Sequence, residues 1–183
     1  PVGFGVVPGI PFATFENSAR DVSDLLADTE FTYSAGVPNT VQVAPGDILR
    51  TLSEGFAYEV AASGATDEHV TTAGGVKLYV QQGVGGYDVR AFGATGDGVT
   101  DDGDAVEAAI LAAYNSATAD GSRRRGACVY LPKGRYRIAQ SGKLFSSLPT
   151  VTGGAASFHF KGDGPNDSYA SSIGATTIAF DPP

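Results

Sequence analysis

The stretch from Tyr87 to Asp102 constrains the fold of this chain more than any other. It begins with a short apolar segment, passes through a glycine-rich turn at Gly93–Gly98, and ends in closely spaced aspartates. Glycine allows the backbone conformations of tight turns, and aspartate side chains accept hydrogen bonds from the N–H groups at a helix start. The stretch therefore predicts a short strand, a compact turn and the beginning of a helix.

The clearest helix of the chain is predicted over residues 102–117, with Thr100 or Asp101 as its cap. We expect Asp120-Gly121 to close the turn that follows it. The predicted helix places its apolar residues on one face, which consists of Val106, Ala109, Ile110, Ala113 and Tyr114.

Short apolar segments separated by turns follow this helix and predict further strands. They are Cys128–Leu131, Tyr136–Ile138, Ser157–Lys161 and Thr176–Phe180. The strand pattern is still running at Asp181-Pro182-Pro183, so we expect a sheet that is incomplete.

The region over residues 30–82 alternates apolar and polar residues in short segments with turns between them. A period of two is typical of half-buried strands, and it predicts a small β-rich domain. Two sets of residues are expected on buried faces, namely Phe56, Tyr58 and Val60, and Val76, Leu78 and Val80. The glycine-rich residues 83–86 then predict a flexible neck, and residues 87–183 form the second part of the chain.

Residues 1–29 are predicted to form an N-terminal arm and a short helix. Pro and Gly interrupt the apolar arm, which lacks the features of a signal peptide. The arm could pack on its own domain or dock on another subunit or protein. Ser18 is the expected cap of a helix that runs through Leu26 or Thr29, with Val22, Leu25 and Leu26 on its apolar face.

Composition limits the class of protein and its partners. The 25 glycines and 10 prolines in 183 residues favour many short strands and turns over long helices. Residues 1–86 hold ten acidic and three basic residues, a balance of −7, within a net charge of −8. So acidic a first half argues against nucleic acid or an anionic membrane as a partner.

A single cysteine, Cys128, excludes a disulfide within the chain and fits assembly in a reducing compartment. Methionine is absent, so we expect that the chain is processed, trimmed or part of a longer product. The sequence shows no stretch typical of a transmembrane span.

Three carboxylates near the predicted turn, Asp97, Asp101 and Asp102, could suggest the acid pair of a glycoside hydrolase. Turn and helix-cap chemistry accounts for all three without a substrate, so we interpret them as structural. The segments Gly93–Gly98 and Gly162-Asp163-Gly164 lack the Gly-Lys-Ser/Thr ending of a phosphate-binding loop, and we interpret them as turns.

The other candidate side chains are also expected to be structural. His69 and His159 are too few and too scattered for a metal site, and Cys128 is predicted in the core. Arg123–Arg125 are expected to form a solvated loop or a salt bridge to the acidic head of another subunit. Four tyrosines could stack on sugars but alternate as ordinary strand residues do, namely Tyr58, Tyr79, Tyr130 and Tyr136. We therefore expect no catalytic, cofactor-binding or metal-binding residue in this chain.

Two segments resemble a known family. YDVRAFGATGDGVTDDGDAVEAAILAA, followed by VYLPKGRYRI and FKGDG, resembles the start of the pectate-lyase-superfamily right-handed parallel β-helix of phage tailspikes and polygalacturonases. Upstream, GDILRTLSEGFAYEVAASGATDEHVTTAGGVKLYVQ resembles the region that precedes the β-helix in phage tailspike and tail-fibre proteins. One departure is Gly103, where that family usually carries Thr.

The resemblance implies a mainly β protein with a β-rich head over 30–82 and a helix-capped, incomplete β-helix over 87–183. It further implies a homotrimer on the virion, assembled in the host cytoplasm, whose head docks on phage tail, adaptor or baseplate proteins. The β-helix would bind, and often cleave, host surface polysaccharide through the part that follows Pro183.

Two other functions stay open at this stage. The chain could be the N-terminal fragment of a secreted polygalacturonase-like enzyme, whose catalytic Gly-His-Gly and Arg-Ile-Lys motifs would lie on later rungs. It could also be a carbohydrate-binding β-solenoid without catalytic activity.

Overall fold

The computed structural model describes residues 18–118, 127–139, 158–163 and 176–180. Short strands dominate the first half, as the period-two pattern predicted. Its elements are β1 Ser18–Ala19, α1 Val22–Ala27, β2 Phe31–Thr32, β3 Val41–Gln42, β4 Ile48–Thr51, β5 Ala57–Val60, β6 Val70–Thr71 and β7 Lys77–Val80.

A five-stranded sheet forms the body of the first half, in the order β1-β4-β5-β7-β6. β1 runs parallel to β4, and the other pairs are antiparallel. Alternate residues of β5 and β7 are buried on one face, as the sequence predicted, namely Tyr58, Val60, Leu78 and Val80. β2 and β3 form a separate two-stranded parallel sheet.

The cap predicted for the first helix was wrong. Asp21 occupies that position with an extended backbone, and its Oδ1 accepts a hydrogen bond from the Asp24 N–H at 2.9 Å. Ser18 lies in β1 instead, where it pairs with Arg50 of β4. The helix ends at Ala27, one residue before Asp28, whose carboxylate accepts the Glu30 and Phe31 N–H groups and starts the next turn.

The second half contains two parallel sheets, and the chain contributes strands to them alternately. Its elements are β8 Tyr87–Asp88, a 3-10 helix Val89–Phe92, β9 Asp97–Asp101, α2 Gly103–Thr118, β10 Ala127–Leu131, β11 Gly134–Ile138, β12 Phe158–Gly162 and β13 Thr176–Phe180. One sheet has the order β12-β10-β8 and the other β13-β11-β9. Successive strand pairs therefore stack as rungs, which is the arrangement of a parallel β-helix.

Two details of the Tyr87–Asp102 stretch differ from the prediction. The first strand stops at Asp88, because the Asp88 carboxylate accepts the Arg90 N–H and starts the 3-10 helix. Asp97 and Gly98, predicted as the end of the turn, belong to β9, a strand of the first rung that pairs with β11. Its register shifts between Arg135 and Arg137, where Gly98 adopts a φ of 79° that glycine accommodates without strain.

α2 packs on the strands of the first two rungs, as expected of a helix that covers the start of a β-helix. The apolar face predicted from the sequence is confirmed, since all five of its residues are buried. No helix in the described part of the chain is long and apolar enough to cross a membrane.

Residues 83–86 form a closed turn, where the sequence predicted a flexible neck. Gly83 and Gly86 exchange backbone hydrogen bonds of 3.1 Å. Gly86 has a φ of 113°, and a Cβ there would lie 2.3 Å from the Cys128 carbonyl oxygen. The position of the domain boundary stays a prediction, but one hydrophobic core runs through both sides of it.

Candidate functional site

The buried carboxylate of Asp102 fastens the glycine-rich turn to the start of α2. Its Oδ1 accepts the Thr95 N–H at 2.7 Å and the Thr95 hydroxyl at 3.2 Å, and Oδ2 accepts the Gly96 N–H at 3.3 Å. The Asp102 carbonyl accepts the Val106 N–H, the first hydrogen bond of the helix. Asp102 is 1% exposed, so the position offers no access to a substrate.

Asp101 supports the same junction and connects it to the neighbouring rung. Its Oδ1 accepts the Gly103 N–H at 3.0 Å and the Ala139 N–H at 3.1 Å. The helix-start role expected of Asp101 is therefore confirmed. Thr100, the alternative cap, is not one, because its hydroxyl donates to Asp97 within β9.

Asp97 satisfies the backbone of β9. Its Oδ1 accepts the N–H groups of Val99 and Thr100, both at 2.8 Å. These hydrogen bonds, that of Val99 first, lower the pKa of Asp97 from 3.8 to about 2. Arg137 donates to the Val99 carbonyl at 3.0 Å, so both the N–H and the carbonyl of Val99 are hydrogen-bonded. The three carboxylates are thus held by local hydrogen bonds, as turn and cap chemistry predicted.

The outer face of the β12-β10-β8 sheet carries a polar cluster that the sequence analysis did not identify. The Tyr130 hydroxyl donates to Asp163 Oδ1 at 2.8 Å, and the Lys133 N–H donates to Asp163 Oδ2 at 2.8 Å. This pairing raises the pKa of Tyr130 and lowers that of Asp163. Tyr130 is therefore a fixed donor and Asp163 an ionised acceptor. Only the strand register could reveal this cluster, because residues 130 and 163 are far apart in the sequence.

Beside this cluster, Arg90 forms an ion pair with Asp88. Arg90 Nη2 lies 2.7 Å from Asp88 Oδ2, and the hydrogen bond to Asp88 raises the pKa of the guanidinium. The guanidinium carbon also lies 5.7 Å from the centroid of the Phe56 ring, a cation–π contact between the two halves of the chain.

Two of the tyrosine candidates are enclosed in the core. The Tyr58 hydroxyl donates to the Ala91 carbonyl at 2.9 Å, and the Tyr136 hydroxyl donates to the Pro132 carbonyl at 3.0 Å. Both side chains are buried, so neither can stack on a sugar. Tyr79 donates to Asp67 on the head at 2.6 Å.

His69 lies in the seam between the head sheet and the first rung. Its Nδ1 accepts the Val80 N–H at 3.0 Å, which requires the neutral imidazole. Its ring makes edge contacts with Tyr79 and Tyr87, at centroid distances of 5.4 and 5.7 Å. Burial lowers the pKa of His69 below its ordinary value of 6.5.

Cys128 is half-buried, in register with the exposed His159, so its predicted place in the core was wrong. It lies on the same face of β10 as the half-buried Tyr130, whereas Val129 and Leu131 on the other face are buried. Within the described residues, no group of three or more His, Cys, Asp or Glu side chains could hold a metal ion. Arg123–Arg125 and Gly164 lie outside the described residues.

A groove of about 800 Å³ separates α1 from the 3-10 helix. Val22, Leu26 and Ala27 of α1 line it on one side and Gly93–Thr95, which follow the 3-10 helix, on the other. Ser53, Glu54 and Arg90 also line it. It is the second feature that the sequence did not predict, because it forms between segments that are distant along the chain.

The stacked rungs and their covering helix define the region to compare with known proteins. Residues 87–170 match the family model of rhamnogalacturonase A/epimerase, pectate lyase-like proteins. The match begins at β8, so the matched region starts where the rungs start. Together with the parallel sheets, it confirms the mainly β fold and the β-helix that the sequence predicted.

Curated proteins of Azotobacter vinelandii are similar to part of this chain. Alginate lyase 7 is 49% identical over 53 residues, which is 29% of this chain and 5% of the relative. Mannuronan C5-epimerase AlgE4 is 46% identical over 57 residues, 31% of this chain and 9% of the relative. Mannuronan C5-epimerase AlgE3 is 33% identical over 94 residues, which is 51% of this chain and 4% of the relative. The chain thus spans less than a tenth of the length of these relatives.

Two solved structures superpose on part of the chain. The A-module of mannuronan C-5 epimerase AlgE6 from Azotobacter vinelandii is 33% identical with a TM-score of 0.34. The match covers 52% of this chain and 20% of the A-module chain. ORF18 of Geobacillus virus E2 is 24% identical with a TM-score of 0.26, and the match covers 54% of this chain and 20% of the ORF18 chain. Both scores are too low for either superposition to support an inference.

Proposed function

We propose that this chain is the N-terminal part of a phage tailspike or tail-fibre protein whose β-helix acts on host surface polysaccharide. The observation that carries the polysaccharide part is the family match over residues 87–170, together with relatives named as an alginate lyase and as mannuronan epimerases. The rungs described here would begin that β-helix, and its catalytic residues would lie on later rungs.

The head over residues 30–82 would hold the protein on the virion. Supporting this role, the head is joined to the first rung by a buried hydrogen bond from Tyr58 to Ala91, by Arg90 over Phe56, and by one shared core. A head joined in this way transmits orientation from an attachment point to the β-helix. Its surplus of acidic residues fits a basic docking surface on a tail, adaptor or baseplate protein.

The same proposal includes a homotrimer, with the arm over residues 1–29 in contact with tail proteins. Three copies would place three β-helices on one axis, and binding to several glycan chains at once would strengthen the grip of the virion. Nucleic acid and membrane are not expected among its partners, because the acidic head would repel both.

A mass measurement and a localisation experiment test this proposal together. Light scattering on the purified chain should give three times its mass of 18.7 kDa. Antibodies against the head should label the tails of virions that carry the protein. A monomer in solution together with unlabelled virions would refute the proposal.

The second candidate is the N-terminal part of a secreted polysaccharide-modifying enzyme. The identity of 49% to alginate lyase 7 over 53 residues favours this candidate, because the relative is named as an enzyme. It predicts a secretion signal upstream and the complete protein in the culture medium rather than on virions. A third function is that of a carbohydrate-binding β-solenoid without catalytic activity. Turnover of an acidic polysaccharide by the complete protein would exclude that function and leave the two candidates above.

A further inference from the structure

The outer face of the β12-β10-β8 sheet places polar side chains from three rungs in one row. Asp88 of β8 is in register with Tyr130 of β10, which is in register with Lys161 of β12. Strand neighbours in a sheet lie about 4.8 Å apart, so the three side chains are adjacent. His159 stands two residues before Lys161 and therefore on the same face.

Both carboxylates of this face are occupied by groups of the protein itself. Asp163 accepts the Tyr130 hydroxyl with one oxygen and the Lys133 N–H with the other. Asp88 accepts the Arg90 N–H and two nitrogens of the Arg90 guanidinium, at 2.7 to 3.1 Å. The Arg90 guanidinium offsets the charge of Asp88, whereas Asp163 keeps its negative charge beside Lys161.

The basic side chains at this face are exposed to solvent. Lys133, His159 and Lys161 are exposed, and the Arg90 side chain is 44% exposed. The Lys161 ammonium is held 5.4 Å from the centroid of the Tyr130 ring, which keeps it on the outer surface. Lys133, Lys161 and Arg90 carry three positive charges against the two negative charges of Asp88 and Asp163, so these five groups together carry a net charge of +1 in a chain whose net charge is −8.

We propose that this face binds a carboxylate-bearing sugar unit of an acidic polysaccharide. The Lys161 ammonium would contact the sugar carboxylate, with Lys133 as a second cation. The Tyr130 hydroxyl donates its hydrogen to Asp163, so its lone pairs accept a hydrogen bond from a sugar hydroxyl. This inference rests on the proposed polysaccharide function, but it concerns binding near the start of the β-helix and involves no reaction.

Titration of the chain with oligomannuronate tests the inference, with a neutral maltooligosaccharide of equal length as the second ligand. Binding of the acidic oligosaccharide alone is expected, and added NaCl should weaken it. The Lys161→Gln variant should bind about five- to tenfold more weakly, the loss typical of one charge-assisted contact. Tyr130→Phe should weaken binding less, because it removes one neutral hydrogen bond.

Arg50→Gln is the matched control, since it removes one exposed positive charge from β4 of the head. Its affinity should equal that of the unmodified chain. Equal loss in Arg50→Gln and Lys161→Gln would overturn the inference, as would equal binding of the neutral ligand or no saturable binding. Virion labelling and the trimer mass do not depend on this face, so the proposed function can fail or stand separately.

Discussion

The carboxylate of Asp102 should be required for folding rather than for catalysis. It is 1% exposed and accepts three hydrogen bonds that fasten the turn at Thr95–Gly96 to the first turn of α2. Hydrogen bonds to an ionised group contribute about 1.5–3 kcal/mol each, and the two longer ones here contribute less. Asp102→Ala should therefore lower the free energy of unfolding by about 3–5 kcal/mol.

Asp102→Asn separates the shape of the side chain from its charge. The amide keeps one oxygen, which would accept the short bond from Thr95, while its nitrogen would face the Gly96 N–H. The loss should be about 1–2 kcal/mol. Asp104→Asn is the control, because it makes the same change at an exposed carboxylate in the first turn of the same helix, where a surface substitution costs less than about 1 kcal/mol.

Thermal unfolding followed by circular dichroism measures these differences. For a chain of this size, each kcal/mol shifts the melting temperature by about 2–4 °C, so Asp102→Ala should melt about 6–20 °C lower. The expected order is Asp104→Asn, then Asp102→Asn, then Asp102→Ala. Melting temperatures equal to that of the unmodified chain, combined with loss of polysaccharide turnover in the complete protein, would refute the structural role.

Three further predictions concern the seam and the edge of the first rung. Gly86→Ala should cost more than about 3 kcal/mol, because its Cβ would meet Cys128 at 2.3 Å, whereas Gly85→Ala meets its nearest atom at 3.6 Å and should be tolerated. Equal melting temperatures of these two variants would show that the turn is open. The lowered pKa of His69 means that the unfolded chain binds more protons, so stability should fall as pH drops below 6.5, and His69→Gln should flatten that slope. An unchanged slope would place the acid sensitivity elsewhere. The pKa of about 2 at Asp97 adds stability that is present above 3.8 and is lost towards pH 2, so Asp97→Asn should reduce the loss of melting temperature over that range, and an identical acid profile would contradict this.

Much of the fold could be predicted because local patterns determine it. Alternation in β5 and β7 and the apolar face of α2 report burial directly, and both predictions were confirmed. The errors occurred where a distant partner decides the conformation. Serine is a favoured helix cap, but Ser18 pairs with β4 and lies in a strand. Residues 97–101 have the composition of a turn, but they form a strand because they pair with β11.

The polar cluster on the outer sheet illustrates the same limit for the candidate site. Tyr130 and Asp163 have no signal in common along the sequence, and only the parallel register of β10 and β12 brings them to 2.8 Å. The carboxylates of Asp97, Asp101 and Asp102, in contrast, bind backbone groups a few residues away, and only the bond from Ala139 to Asp101 spans a longer distance in the sequence. Their roles could therefore be inferred from spacing alone.

The sequence by itself determined the elements, the covering helix and the junction at Tyr87–Asp102, because hydrophobic period, turn residues and caps act over a few residues. The tertiary structure decided how the halves meet. Glycines at residues 83–86 suggest flexibility, but the contact of Gly86 with Cys128 closes the turn, and Tyr58 joins the head to the first rung. Such contacts depend on chain segments that are far apart in sequence, and no local pattern encodes them.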